Sequence, residues 1–233
     1  MKIKFISWNL NRASLIRKKL WRFLNDLDFD IGIFQEVYAI PYFIRKNYIT
    51  IRGEMNAILA RKKLFKLIQE KIFFNENEDA IEDFYLAGNV IFNKNKMLLI
   101  SIYNHFGESD KEFNYFLQSL LKYLEFKKDK PIIIGGDFNM SEKFGGTLKN
   151  LAVEIKKFKD NLKKLNYIEV IEEKFGESGY TFITPNKKNF YQLDYLFLPK
   201  KLKFQELINL NYLLINKENR LSDHLPLIIN IVI

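Results

Sequence analysis

The apolar sequence of this chain comes in short runs, and several of them stop at a carboxylate, an amide or an imidazole. Residues 2–8 alternate polar and apolar before Asn9 and Asn11, residues 31–34 run into Gln35 and Glu36, and residues 131–134 lead through two glycines to Asp137 and Asn139. Runs of this length read as buried β-strands, and none approaches the roughly 20 apolar residues that cross a bilayer as a helix. A strand that ends on a polar group holds it on a rigid support while letting it reach a cleft. The other polar ends are His105, Asp194, and Asp223 with His224.

Three stretches carry helical periodicity instead. After Ser14, residues 14–27 place Leu20, Phe23, Leu24 and Leu27 on one face, and residues 110–126 do the same with Phe113, Phe116, Leu117, Leu120, Leu121 and Leu124. Residues 148–165 form a third, Lys-rich stretch. Between residues 48 and 103, the segments 48–51, 57–60, 64–74, 84–92 and 97–103 read as an antiparallel meander, and further strands are expected at 180–183, 191–198 and 225–233. Strands outnumber helices and alternate with them only loosely, which predicts stacked sheets with helices outside rather than a βαβ series. With no linker or repeat, one domain over residues 1–233 is expected.

Composition narrows the chemistry. At 48% hydrophobic and 15% aromatic, the chain has enough apolar surface to exclude disorder as a global description. It has no Cys, so disulfides, thiolate metal sites and thiol nucleophiles are excluded and any metal must sit on oxygen or imidazole. The formal charge is +9, which suits a polyanion such as nucleic acid or an anionic membrane surface. That signal is diluted because 30 of the cations are Lys and only 7 are Arg, in a chain also rich in Ile and Asn. Trp8, Asn9 and Asn11 interrupt the N-terminal apolar sequence before a signal-peptide core could form. A cytoplasmic protein with no membrane association and no obligate protein partner is expected.

Alternation points Asp137 and Asn139 the same way, so an acid and an amide share a face; an isolated Asp-x-Asn also serves commonly as a turn cap. The chain has only two histidines, His105 and His224, and each adjoins a strand within a polar cluster rather than lying on an amphipathic face. Lys156, Lys157, Lys159, Lys163 and Lys164 could grip a phosphate backbone, but lysines along a helix usually form a solvated face. Residues 184–189, with Lys187 and Lys188, are a better candidate substrate loop. Phe190 and Tyr191 could stack on bases, although strand aromatics more often belong to the core.

Five segments, in order Ser7-Trp8-Asn9, Phe34-Gln35-Glu36-Val37, Gly136-Asp137-Phe138-Asn139, Leu193-Asp194-Tyr195 and Ser222-Asp223-His224-Leu225-Pro226, resemble the motif series of the endonuclease/exonuclease/phosphatase superfamily, the DNase I-like fold. Residues 56–61 are similar to a further family segment. The resemblance implies a four-layered α/β sandwich: two mostly antiparallel sheets face to face, helices outside, and a site at one end of the sheets. It also implies hydrolysis of a phosphodiester by in-line attack of water with Mg²⁺ or Mn²⁺, hard cations that choose oxygen ligands.

Carried over by position, the resemblance makes Glu36 the direct metal ligand, with Asn9 and Asp223 near the same ion and Asp137 and Asn139 completing the set. Asn11 stands where many relatives carry Asp. Asp137 would orient or deprotonate the attacking water, and Asn139 would hold that water and a phosphate oxygen. His224 would donate to a nonbridging phosphate oxygen while Asp194 fixes its tautomer and keeps it protonated. Asn9, Asn11, Asn139, Lys187 and Lys188 would bind substrate. His105 resembles the DNase I-like, deadenylase-like and sphingomyelinase-like members more than the abasic-site endonucleases, and would act as general acid for the leaving oxygen, with Glu54 as its acidic partner. Tyr103 reads as a buried strand aromatic rather than a catalytic phenol. The implied substrate is DNA or RNA; a phospholipid or inositol phosphate, and a catalytically inactive nucleic-acid-binding protein, are the alternatives.

Overall fold

The structure, a computed structural model, describes residues 1–72, 82–105, 110–184, 188–208 and 221–232. In chain order its strands are β1 (Lys2–Ala13), β2 (Ile31–Val37), β3 (Tyr48–Arg52), β4 (Asn56–Arg61), β5 (Lys66–Glu70), β6 (Tyr85–Phe92), β7 (Asn95–Tyr103), β8 (Ile132–Asp137), β9 (Tyr167–Glu169), β10 (Phe182–Ile183), β11 (Phe190–Tyr191), β12 (Asp194–Pro199), β13 (Lys203–Ile208) and β14 (Leu227–Val232). The helices are α1 (Lys18–Asp26), α2 (Tyr42–Asn47), α3 (Asp110–Phe126), α4 (Lys149–Lys164) and α5 (Val170–Phe175).

Two six-stranded sheets result, ordered β13-β14-β1-β2-β4-β3 and β5-β6-β7-β8-β12-β9, with β10 and β11 a separate hairpin. Both sheets are mixed: β1–β2 and β7–β8 pair in parallel and the other ladders are antiparallel. Strand alternation divides the apolar residues among three layers. Along β1, Ile3 and Phe5 face the second sheet, whereas Ile6, Trp8 and Leu10 face α1 and α2. Ile133 of β8 likewise joins the layer between the sheets, while Ile132 and Ile134 pack under α3 and α4. The result is the helix–sheet–sheet–helix sandwich of a DNase I-like fold.

Several boundaries differ from the sequence reading. The strand opened by residues 2–8 continues to Ala13, and α1 begins at Lys18 instead of after Ser14. That continuation contains a bulge: Asn11 and Arg12 take positive φ of 49° and 59°, and the β1–β2 register shifts between Asn9 and Ala13. The expected meander is divided, with β3 and β4 in the first sheet and β5, β6 and β7 in the second. Residues 64–74 narrow to β5, residues 73 and 74 lying outside the described residues, as does Ile233 beyond β14. Lys159 is not on a solvated face: it is buried, and its ammonium pairs with Glu142 and, at 3.1 Å, with Glu172. Among the described residues no helix is long and apolar enough to cross a membrane.

Candidate active site

The two sheets bring six of the expected residues to one end of the sandwich. Asn9 lies on β1, Glu36 near the end of β2, Asp137 at the end of β8, Asp194 at the start of β12, and Asp223 with His224 just before β14. Because β8 and β12 are antiparallel, Asp137 and Asp194 fall opposite each other in register, a like-charge cross-strand pair that by itself is destabilising. His224, arriving from the other sheet, resolves it. Its Nδ1 lies 2.8 Å from Asp194 Oδ2, so the imidazole donates there, and its Nε2 lies 3.8 Å from Asp137 Oδ2.

All three groups are buried. Burial alone lowers the pKa of His224, but the carboxylates of Asp194 and Asp137 outweigh it and carry the imidazole up to about 10. Burial, with Asp194 adding to it and His224 opposing, pushes Asp137 up to about 7.

Asn9 connects the sheets. Its Nδ2 donates to Asp137 Oδ2 at 2.8 Å and to Glu36 Oε1 at 3.0 Å, while its Oδ1 accepts the Asn11 amide at 2.9 Å. Glu36 is half-buried, sits at φ 54°, and accepts a hydrogen bond from the Tyr103 phenol. Tyr103 is therefore more than a buried strand aromatic: burial first, then the negative charge of Glu36 and Asp137, raises its pKa and keeps the phenol protonated as a donor. One residue back from Glu36, Gln35 Nε2 donates to Ser101 Oγ at 3.0 Å, which donates to Asn56 Oδ1 at 2.8 Å, a buried chain joining β2, β7 and β4 across the sheets.

The turn after β8 is built for close approach. Gly136 has φ 135°, and a Cβ there would stand 2.0 Å from the Ile102 carbonyl oxygen, so no other residue fits. Asp137 Oδ1 then accepts the Asn139 amide at 2.9 Å, and Asn139, at φ 48°, donates Nδ2 to the Asn104 carbonyl at 2.6 Å and to Asp137 Oδ2 at 3.3 Å. Between them Phe138 is fully buried, its ring 5.4 Å from Tyr195 and 5.9 Å from both Phe158 and Phe197. Burial of a ring of this size stabilises by about 1.5–3 kcal/mol, which anchors the turn that displays the acid and the amide.

Two positions that sequence reasoning missed, Thr181 and Arg17, hold the histidine and acidic segments together with Ser222 of the fifth motif segment. Thr181 Oγ1 accepts the amides of Leu193 and Asp194 at 3.0 and 2.9 Å, and its carbonyl accepts Leu225 N at 2.6 Å, so one residue orients both sides of the Asp194–His224 pair. Ser222 Oγ donates to the Asn9 carbonyl at 2.7 Å. Arg17 donates to the carbonyls of Leu10, at 2.7 Å, and of Asn11 and Leu221, and its charge faces Asp223 and Glu36. Nothing local marks Arg17 as special, since its partners stand up to 204 residues away.

The remaining expected residues lie at the margin. Asn11 sits in the β1 bulge. His105 follows β7, half-buried, with its ring edge-on to Tyr103 at 4.5 Å; no hydrogen bond or ion pair joins it to Glu54, which is exposed. Lys188 is exposed in the β10–β11 hairpin, whose Phe182 packs 4.9 Å from the His224 ring. Lys187 lies outside the described residues.

The donor chemistry divides the cluster in two. Asp137, Asp194 and His224 offer ligand atoms within 4.8 Å of one another, but His224 already donates to Asp194, so this trio is a proton-holding group and not a cage for a hard cation. Glu36 and Asp223 are the oxygen donors on the open side. Glu36, Asp137, Asp194 and Asp223 face two cationic groups, His224 and Arg17, leaving two formal negative charges, a balance that fits a divalent cation beside Glu36.

This fold, with an Asp–His pair, an Asp-x-Asn turn and an open Glu at one end of two sheets, defines a phosphoesterase-type site. The family model described as "Endonuclease/Exonuclease/phosphatase family" matches residues 6–224, and the chain belongs to that family. No curated protein sequence matches. Among solved structures, the chain is similar to an AP endonuclease from Archaeoglobus fulgidus (TM-score 0.72, 19% identity, 97% of this chain and 98% of that one). It is also similar to human Nocturnin's catalytic domain (0.70, 19%, 99% and 93%) and to D. rerio TDP2 complexed with single strand DNA product (0.68, 20%, 100% and 99%).

Proposed function

We propose that this chain is a divalent-cation-dependent phosphodiesterase that hydrolyses nucleic acid, leaving a 5′-phosphate and a 3′-hydroxyl. The observation that carries the reading is the bridge from Asp194 through His224 to Asp137 and, through Asn9, to Glu36. Family membership and the +9 charge support it, as does the likeness to a structure described with single strand DNA product.

Glu36, with Asp223 and Asn9, would hold Mg²⁺ or Mn²⁺, which when bound neutralises phosphate charge and polarises the ester. Asp137 and Asn139 position water for in-line attack, Asp137 accepting its proton. His224, kept charged by Asp194, donates from Nε2 to a nonbridging phosphate oxygen as charge accumulates there. His105, which follows β7 beside the Tyr103 ring, would protonate the leaving oxygen. Asn11 and Lys188 would contact the flanking phosphates.

The test is a panel of single- and double-stranded DNA, RNA, abasic duplex, sphingomyelin and phosphoinositide with Mg²⁺ or Mn²⁺, before and after EDTA. Turnover is expected on at least one nucleic acid, none with EDTA, and a fall of about 10²–10³ in kcat for His224→Ala. The abasic duplex is expected to be a poor substrate. Absence of metal-dependent turnover on every phosphoester would overturn the reading, and turnover on lipid alone would transfer it to the other substrate class.

A further inference from the structure

Beside the proposed catalytic cleft, the first sheet carries a second concavity. A pocket of about 470 Å³ lies between α1 and the start of α2, lined by Leu15, Lys18, Arg22, Asp26, Tyr42 and Phe43 among others. Its two walls differ. On α1, Lys18 and Arg22 are one turn apart, both exposed, and neither makes an ion pair or side-chain hydrogen bond among the described residues. On α2, Tyr42 is 73% and Phe43 41% exposed, a large area of aromatic surface to leave in water on two consecutive residues. Ile44 of the same helix is buried under the sheet, so α2 is anchored while its aromatic pair faces out.

The pocket belongs to the same end of the sheet as the catalytic groups. β1 and β2, which carry Asn9 and Glu36, lead directly into α1 and α2, and the amides of Tyr38 and Ala39 bond the Ala13 carbonyl at 2.8 and 3.1 Å, tying the two exits together. Tyr42 is six residues beyond Glu36, at most about 21 Å along the chain. Tyr38, 46% exposed, lies between them, near enough to Tyr103 for its phenol to act on that group. Exposed aromatic side chains therefore recur along the chain between Glu36 and the pocket.

Resting on the nuclease reading, we infer that this pocket binds a nucleotide of the unreacted flank of a single-stranded nucleic acid. A base stacks on Tyr42 and Phe43 while Lys18 and Arg22 take the adjoining phosphates. Stacking platforms paired with cations are the sequence-tolerant way to hold single strands. A bilayer surface would ask for apolar side chains that penetrate it; here the apolar wall faces a polar one that includes Asp26 as well as the two cations.

The experiment compares wild type with Tyr42→Ala/Phe43→Ala and Lys18→Glu/Arg22→Glu on bis-p-nitrophenyl phosphate, a dinucleotide and longer single-stranded oligonucleotides. Oligonucleotide binding is followed by fluorescence anisotropy without metal, and sedimentation with phosphatidylserine vesicles is measured in parallel. For wild type, KM is expected to fall as the oligonucleotide lengthens. Both variants should lose about fivefold or more of that gain, with kcat and turnover of bis-p-nitrophenyl phosphate unchanged. Variants that cleave and bind long oligonucleotides as wild type does would overturn the pocket's role while leaving the nuclease reading intact. A wild type that neither binds nor cleaves oligonucleotides would overturn both, and a loss confined to vesicle sedimentation would reassign the pocket to a membrane surface.

Discussion

Asn9 Nδ2 lies 2.8 Å from Asp137 Oδ2, although 128 residues separate them and they stand on different sheets. The amide is a neutral donor placed between two carboxylates, those of Asp137 and Glu36, which it satisfies without adding charge. Replacing it by the isosteric acid turns that donor into a third repelling group. Asn9→Asp is expected to lower stability by about 2 kcal/mol at neutral pH, since buried acceptors lose their donor, and to reduce activity more than tenfold. Urea denaturation alongside steady-state rates checks both.

Arg17 holds three carbonyls that converge from the β1 bulge and from Leu221, at the entrance to the segment bearing Asp223 and His224. A planar fork of donors is needed for that geometry, so Arg17→Lys is expected to behave like Arg17→Met rather than like wild type. Each should raise the concentration of Mg²⁺ or Mn²⁺ giving half-maximal rate, because the carboxylates of Asp223 and Glu36 lose their alignment. Metal titration of activity, with melting curves to confirm folding, measures this.

Gly136→Ala places a methyl group against the Ile102 carbonyl in a backbone region that L-residues rarely adopt. A cost of about 3 kcal/mol or more is expected, combining local strain with displacement of β7 from β8. The checks are soluble yield and the denaturation midpoint. A wild-type midpoint would contradict the packing described for this turn.

The cluster of Lys159, Glu142 and Glu172 predicts a pH dependence remote from the chemistry. Burial on its own raises the Glu172 pKa, but Lys163 and Lys159 outweigh it and the net shift is downward from 4.5. A carboxylate lowered in the folded state contributes stability above its unfolded pKa and loses it as pH falls through the folded value. Glu172→Gln should therefore cost about 1 kcal/mol at pH 7, and the difference from wild type should vanish in strongly acidic solution. Thermal melts across the acid range give the comparison.

The site was more legible in the sequence than the sheets that build it. Asp137, Asn139, Asp223 and His224 stand in short segments whose polar residues directly adjoin apolar strands; each segment alone also fits an ordinary turn, and it is the ordered series of five that singles them out. Allocation of strands to sheets has no such marker: the turn from β3 to β4 stays within one sheet and the passage from β4 to β5 crosses to the other, while both look locally like meander connections. The same holds for the residues that position the site. Thr181 acts through a hydroxyl bonded to amides in the next strand segment, Arg17 through carbonyls as distant as Leu221, and Tyr103 through a phenol on a residue that reads as a buried strand aromatic. The short α2 and α5, six residues each, offered too few positions for helical periodicity to register.

The buried chain from Gln35 through Ser101 to Asn56 sits one residue behind Glu36 and spans the interior that separates the β-layers. The apolar layer between the sheets fits by shape, and to it these three polar groups add directional bonds that accept a single alignment. Glu36 and Asp137 thus inherit their spacing from a latch in the interior, leaving the rim free to diversify in what it grips without detuning what it cuts.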